Sequence, residues 1–131
     1  MRGYLSVSEV LAIHDNLIDR YGGTRGVRDF EALTAVVNRT QTVYHDDLGT
    51  EAMALWLGLT DQDLFVDGTK RTAFAAMHTF LRINGAKLTV SRDDSYKFIL
   101  ELYQSRGVSA RQLAERLRSR IEEPSARRQR N

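Results

Sequence analysis

The chain contains no cysteine. That absence excludes thiol catalysis, cysteine-ligated zinc and a disulfide framework. No apolar run approaches the ~20 residues that a membrane-spanning helix requires. The first residues, Met1 to Leu5, carry no long apolar segment of the kind that directs secretion. The three histidines, His14, His45 and His78, share no metal-ligand spacing such as H-E-x-x-H. No internal repeat or low-complexity stretch is present. A cytoplasmic protein with no membrane partner is the expectation.

What is present fits one compact domain. The 131 residues are 42% hydrophobic, enough for a single core without disulfide or metal staples. Residues 1–123 are expected to form that domain, followed by a basic tail at 124–131. The net charge is +2, too small to indicate nucleic acid by itself, and no DNA binding of its own is expected. Part of the excess lies in the tail, which carries Arg127, Arg128 and Arg130 and no acid. Such an end is either a solvated, frayed terminus or a handle for an acidic partner.

Helical periodicity dominates. Ser6 and Glu9 have the spacing of a capping box, in which two orphan amides are satisfied reciprocally. The helix they open places Val10, Ile13, Leu17 and Tyr21 on one stripe and ends at Gly22-Gly23. His14, among apolar neighbours, reads as a satisfied structural histidine rather than a catalytic one. Asp29 caps a second helix reaching about Thr40, with Leu33, Val36 and Val37 inward. Residues Gln41–Gly49 read as an extended loop or flap containing His45. A third helix from about Thr50 to Thr60 is apolar on several faces, including Trp56, and is predicted to be the buried central element.

A fourth helix runs from Lys70 to about Ile83 and closes at Asn84-Gly85. Lys87–Ser91 is a short strand-like piece. Another helix starts at Asp93 or Asp94 and reaches about Gln104. Ser109 with Gln112 forms a second capping box, and Leu113, Leu117 and Ile121 recur every four residues. The expected fold is all-α, a bundle of about six helices with a short extended flap and little or no sheet.

The stretch richest in chemistry runs from Asp63 to Ala73. It reads as a loop entering a helix N-terminus, where the first amides lack internal partners and sit at the positive end of the dipole. Gly68 permits close backbone approach, and Thr69 has the side chain of a cap. Lys70 and Arg71 add two cations, and Asp67 adds one carboxylate suited to a magnesium ion bridging phosphates. Together they describe a site for a nucleoside triphosphate. Asp67-Gly68-Thr69-Lys70 is equally an ordinary turn followed by a capped helix, so spacing alone leaves both readings open.

The segment resembles the Fic/Doc signature H-x-F-x-D-(G/A)-N-K-R, agreeing at Phe65, Asp67, Gly68, Lys70 and Arg71. The similarity extends to Tyr4 through His14, to Asp19–Gly23, to Gly26–Asp29 and to Leu81–Gly85, and covers roughly residues 4–121. The resemblance implies a Fic/Doc-type helical bundle. It implies that Phe65 anchors the loop, Asp67 holds Mg2+, and Gly68 with the amides of Thr69 and Lys70 cradles phosphate of ATP. Arg71 would pair with a terminal phosphate. Lys70 stands where the AMP-transferring branch has glycine, which points to the death-on-curing (Doc) branch and transfer of the γ-phosphate. That branch implies a toxin that phosphorylates a threonine of elongation factor Tu, restrained by a Phd-type antitoxin. The 41–49 segment would dock the target by strand pairing. No (S/T)-x-x-x-E-(G/N) stretch, the self-inhibiting motif of many Fic proteins, is present.

The chain departs from the signature at three positions. Asp63 replaces the general-base histidine, Leu64 replaces the usual proline, and Thr69 replaces asparagine. A carboxylate near pKa ~3.9 is a weaker base than an imidazole near ~6.5. Phosphoryl transfer depends more on positioning than on basicity, and protein kinases use an aspartate in that role. The expectation is therefore a Doc-like phosphotransferase with Asp63 as substitute base, weakened or altered. The alternative is an inactive Fic-fold protein that binds a nucleotide or a protein partner without turnover.

Overall fold

The computed structural model describes residues 2–42, 47–89, 91–104 and 109–122. The basic tail and His45 lie outside the described residues. Six helices and one small sheet make up the described chain: α1 (Val7–Tyr21), α2 (Phe30–Thr42), α3 (Leu48–Asp61), α4 (Thr69–Ile83), β1 (Lys87–Leu88), α5 (Arg92–Gln104), α6 (Ala110–Arg118) and β2 (Ile121–Glu122). The all-α expectation holds.

The helix starts follow local side-chain chemistry. Ser6 Oγ accepts from the Glu9 amide at 3.1 Å, and Glu9 Oε1 accepts from the Ser6 amide at 2.8 Å. Ser109 and Gln112 make the same reciprocal pair. Asp29 Oδ1 accepts from the Ala32 amide at 3.0 Å, opening α2. The third helix begins two residues before the expected Thr50, because Asp47 caps it through the Thr50 amide at 3.0 Å. The expected flap at 41–49 therefore has helical ends: Gln41 and Thr42 close α2, and Leu48 and Gly49 open α3. Its centre, 43–46, lies outside the described residues.

The core gathers around α3, which packs against α2, α4 and α6. Trp56, Leu59 and Met53 of α3 are fully buried with Phe80 and Met77 of α4, Leu33 of α2 and Leu113 of α6. Each such side chain contributes about 1.5–3 kcal/mol on burial. Glu51 is buried within this helix and pairs with Arg2 at 2.5 Å, which compensates a charge removed from water.

Two expectations need correction. The apolar stripe of α1 is rotated: Val10, His14 and Ile18 are buried, Ile13 and Leu17 are only partly covered, and Tyr21 is 57% exposed. A histidine takes a core position because its ring is hydrogen-bonded and stacked, which offsets the cost of burying it. Ile121 does not extend the last helix. Helix α6 stops at Arg118, and Ile121 pairs with Leu88 in the antiparallel β1–β2 ladder.

Candidate functional site

The loop joining α3 to α4 is fixed at two consecutive side chains. Leu64 and Phe65 are both fully buried. The same residues pair with the loop between α1 and α2. The Arg28 amide donates to the Leu64 carbonyl at 2.8 Å, and the Val66 amide donates to the Gly26 carbonyl at 3.0 Å. Val27 and Phe65 form an isolated antiparallel bridge. Two loops distant in sequence thus form one platform beneath the N-terminus of α4. Leu64 accepts through its carbonyl and fills the core with its side chain.

Phe65 anchors the loop as expected, and His14 completes the anchor. The two rings stack with centroids 4.0 Å apart and planes within 13°. His14 Nε2 lies 2.7 Å from the Asp67 carbonyl oxygen. A carbonyl only accepts, so Nε2 carries the hydrogen. His14 is thus a satisfied structural histidine, and its partner is the motif loop itself.

Asp67 is exposed. Its Oδ2 accepts from the Thr24 amide at 3.1 Å, and Oδ1 has no hydrogen-bond partner among the described residues. Gly68 follows at φ +78° and ψ 17°, the left-handed region that glycine enters freely. It is the N-cap of α4 and supplies no side-chain cap. Thr69 was expected to cap the helix; it is instead its first residue. Its hydroxyl faces back into the loop, accepting from the Phe65 amide at 3.3 Å and donating to Asp63 Oδ1 at 3.3 Å. The first turn of α4 therefore keeps its dipole end free of a side-chain cap, beside the exposed Lys70 and Arg71.

Asp63 sits at the rim, well exposed, with Arg28 Nε 3.6 Å from its Oδ2. The Arg71 guanidinium lies over the ring of Tyr21, 4.3 Å from its centroid. The sequence-predicted residues Asp63, Asp67, Gly68, Thr69, Lys70 and Arg71 are thus gathered on one loop and one helix start. His78 lies farther along α4 than this first turn; burial, with Arg82 beside it, pushes its imidazole below the usual value. Among the described residues no group of three or more histidines or acids is arranged to hold a metal on protein ligands alone. No helix among them is long and apolar enough to cross a membrane.

Sequence reasoning missed Thr24, Arg28 and Tyr21. All three come from the end of α1 and the loop after it, which the long-range pairing of Val27 with Phe65 delivers to the site. The Gly22-Gly23 pair was the available signal. Gly23 has φ +119°, and a Cβ there would stand 3.0 Å from Asp67 Oδ2. The positive φ favours glycine there, and the close approach of the Asp67 carboxylate adds to that preference.

Comparison with known proteins identifies the family of the segment that carries this site. The model of the Fic/DOC family matches residues 4–81, from the start of α1 through most of α4. A protein of Mycolicibacterium smegmatis named Toxin Doc is 46% identical over 78 residues, 56% of this chain and 60% of that protein. The chain thus matches less than two thirds of that relative's length. A protein of Escherichia phage P1 named Protein kinase doc is 35% identical over 89 residues, 65% of this chain and 71% of that protein. The matched region contains every element of the platform and the helix that rises from it, so the chain belongs to the Fic/DOC family.

Proposed function

We propose that this protein is the toxin of a toxin–antitoxin pair, a cytoplasmic kinase-type enzyme that moves the γ-phosphoryl group of ATP to a hydroxyl of a translation factor. The observation that carries the reading is the start of α4. Gly68 leaves the helix end without a side-chain cap, Lys70 and Arg71 flank it, and the Asp67 carboxylate is tethered beside it. The names of the two relatives, a toxin and a protein kinase, support it.

The residues fit a magnesium ion. Mg2+ is commonly held by one or two carboxylates and completes its shell with water and phosphate oxygens. Asp67 offers an exposed carboxylate with one oxygen oriented by Thr24 and the other open. Bound there, the ion would neutralise charge on the nucleotide phosphates. The protein's own groups do the rest. The amides of Gly68, Thr69 and Lys70 hold phosphate oxygens, and Lys70 and Arg71 balance their charge. Asp63 accepts the proton of the target hydroxyl. The hydroxyl oxygen bonds to the γ-phosphorus as the bond from that phosphorus to the bridging oxygen breaks, and ADP leaves. Elongation factor Tu is the proposed target, and a Phd-type antitoxin the partner that restrains the enzyme.

A specific observation favours a second reading. Both oxygens of Asp63 are engaged, Oδ1 by Thr69 and Oδ2 by Arg28. A carboxylate so occupied suits a site that binds a nucleotide or a protein without turnover.

One experiment separates them. The purified chain is incubated with γ-labelled ATP, magnesium and elongation factor Tu, and expressed alone in bacteria, with Asp63→Ala and Arg71→Ala as controls. Labelling and growth arrest that fall ~10²–10⁴-fold in Asp63→Ala support the kinase. Their absence, with magnesium-dependent ATP binding that Asp67→Ala abolishes, supports the binding-only reading. Labelling that appears only in the double variant Asp63→His, Thr69→Asn identifies a disarmed member.

A further inference from the structure

We infer that His14 is a positioning residue for Asp67, holding the acid of the proposed magnesium–nucleotide site in place from α1. The inference rests on the assignment of Asp67 above and adds a residue outside the family signature to the same site.

His14 is 1% exposed, so its ring contacts protein rather than water or ligand. Two of its contacts end on the motif loop: the 2.7 Å hydrogen bond from Nε2 to the Asp67 carbonyl, and the stack on Phe65. They hold the Asp67–Gly68 peptide, whose carbonyl is the acceptor, against a ring seated on Phe65. A third contact fixes the side chain, because the Thr24 amide holds Oδ2 from the loop that follows α1. The main chain and the carboxylate of Asp67 are therefore both held from the N-terminal segment.

The chemistry explains why histidine suits the position. The site needs a planar ring to cover Phe65 and a donor on its far edge to satisfy a carbonyl. Phenylalanine supplies the first alone and glutamine the second alone. Outer partners that orient a metal-binding group typically govern metal affinity by ~10–100-fold while making no contact with the metal.

The test reads binding, not turnover. Titrations of ADP into the chain are run with magnesium and with EDTA, in the natural sequence and in Asp67→Ala, His14→Phe and His14→Gln. A loss of ~10-fold or more in the magnesium-dependent part in His14→Phe, restored at least in part by His14→Gln, supports the inference. Equal loss in both variants assigns His14 to packing alone and overturns it. So does natural affinity in His14→Phe while Asp67→Ala loses it. If the natural chain binds ADP identically in magnesium and EDTA, the Asp67 assignment itself fails and the inference with it. Should His14→Phe not fold, nitrogen resonances of the His14 ring in the natural chain decide. Nε2 must carry the hydrogen and must shift when magnesium and ADP are added, but not in Asp67→Ala; a ring that ignores them overturns the inference.

Discussion

The hydroxyl of Thr69 lies 3.3 Å from Oδ1 of Asp63, so the first residue of α4 is joined to the rim of the loop that precedes it. An aspartate offers only acceptors at neutral pH, and a threonine hydroxyl supplies the donor. The same hydroxyl accepts from the Phe65 amide and so ties the rim of the loop to its buried anchor. Thr69→Val is isosteric and removes both bonds. With both bonds lost it is expected to cost about 1–3 kcal/mol of stability, at about 0.5–1.5 kcal/mol net for each hydrogen bond, while Thr69→Ser costs less. Urea midpoints of the three proteins check this, and equal midpoints refute it.

Arg28 and Asp63 are each more than half exposed and 3.6 Å apart. A pair of that kind contributes at most about 1 kcal/mol to folding. Arg28→Ala should therefore leave the thermal midpoint nearly unchanged. Its effect belongs to the proposed chemistry: Arg28→Ala leaves Oδ2 open to a target hydroxyl, and under the kinase reading phosphate transfer to the target should rise. A rate that falls in Arg28→Ala would show that the arginine helps hold the nucleotide or the target instead.

Where a feature depended on neighbours three or four residues away, the sequence was readable. The Ser6–Glu9 and Ser109–Gln112 boxes form as spaced, and the apolar faces of α3 identify it as the centre. What depended on contacts across the chain was not readable. Val27 and Phe65 are joined by backbone bonds that carry no residue signature, so the delivery of Thr24, Arg28 and Tyr21 to the loop stayed hidden. Ile121 kept helical spacing with Leu117, yet the chain turns at Arg120 and pairs with Leu88. His14 was legible as structural, but its choice of Asp67 as partner spans the whole of α2 and α3.

Tyr21 offers an exposed ring beneath the Arg71 guanidinium, at 4.3 Å from the centroid. Such a contact at an exposed site is worth about 0.5–1 kcal/mol. It limits the rotamers of an arginine that the proposed site needs beside a phosphate. Tyr21→Ala is expected to weaken ATP binding by roughly 2–5-fold, the same energy expressed as affinity. Tyr21→Phe keeps the ring face and should retain natural affinity. Calorimetric titration of the three proteins decides; if the phenylalanine variant loses as much as alanine, the hydroxyl rather than the ring is what matters.

Asp47 links the start of α3 to α6 and makes stability depend on pH. Burial pushes its carboxyl up. The Thr50 hydroxyl and amide, together with the Arg118 guanidinium, more than offset that and hold it below the ordinary value of 3.8. The Thr50 hydroxyl donates at 2.6 Å and Arg118 at 3.2 Å. A carboxyl whose pKa is lower in the folded chain binds protons more readily when unfolded. Its contribution is therefore complete above the unfolded value and is lost as pH falls through the lower, folded one. Between about pH 5 and pH 3 the natural chain should lose stability that Asp47→Asn, already without the charge, does not lose. The variant keeps a side-chain oxygen for the Thr50 amide, since asparagine caps a helix as well as aspartate, but it loses the charge that Arg118 faces, so it should be less stable than the natural chain at pH 7. Urea denaturation at both pH values checks the sign: a gap between the two proteins that narrows on acidification agrees, and one that widens does not.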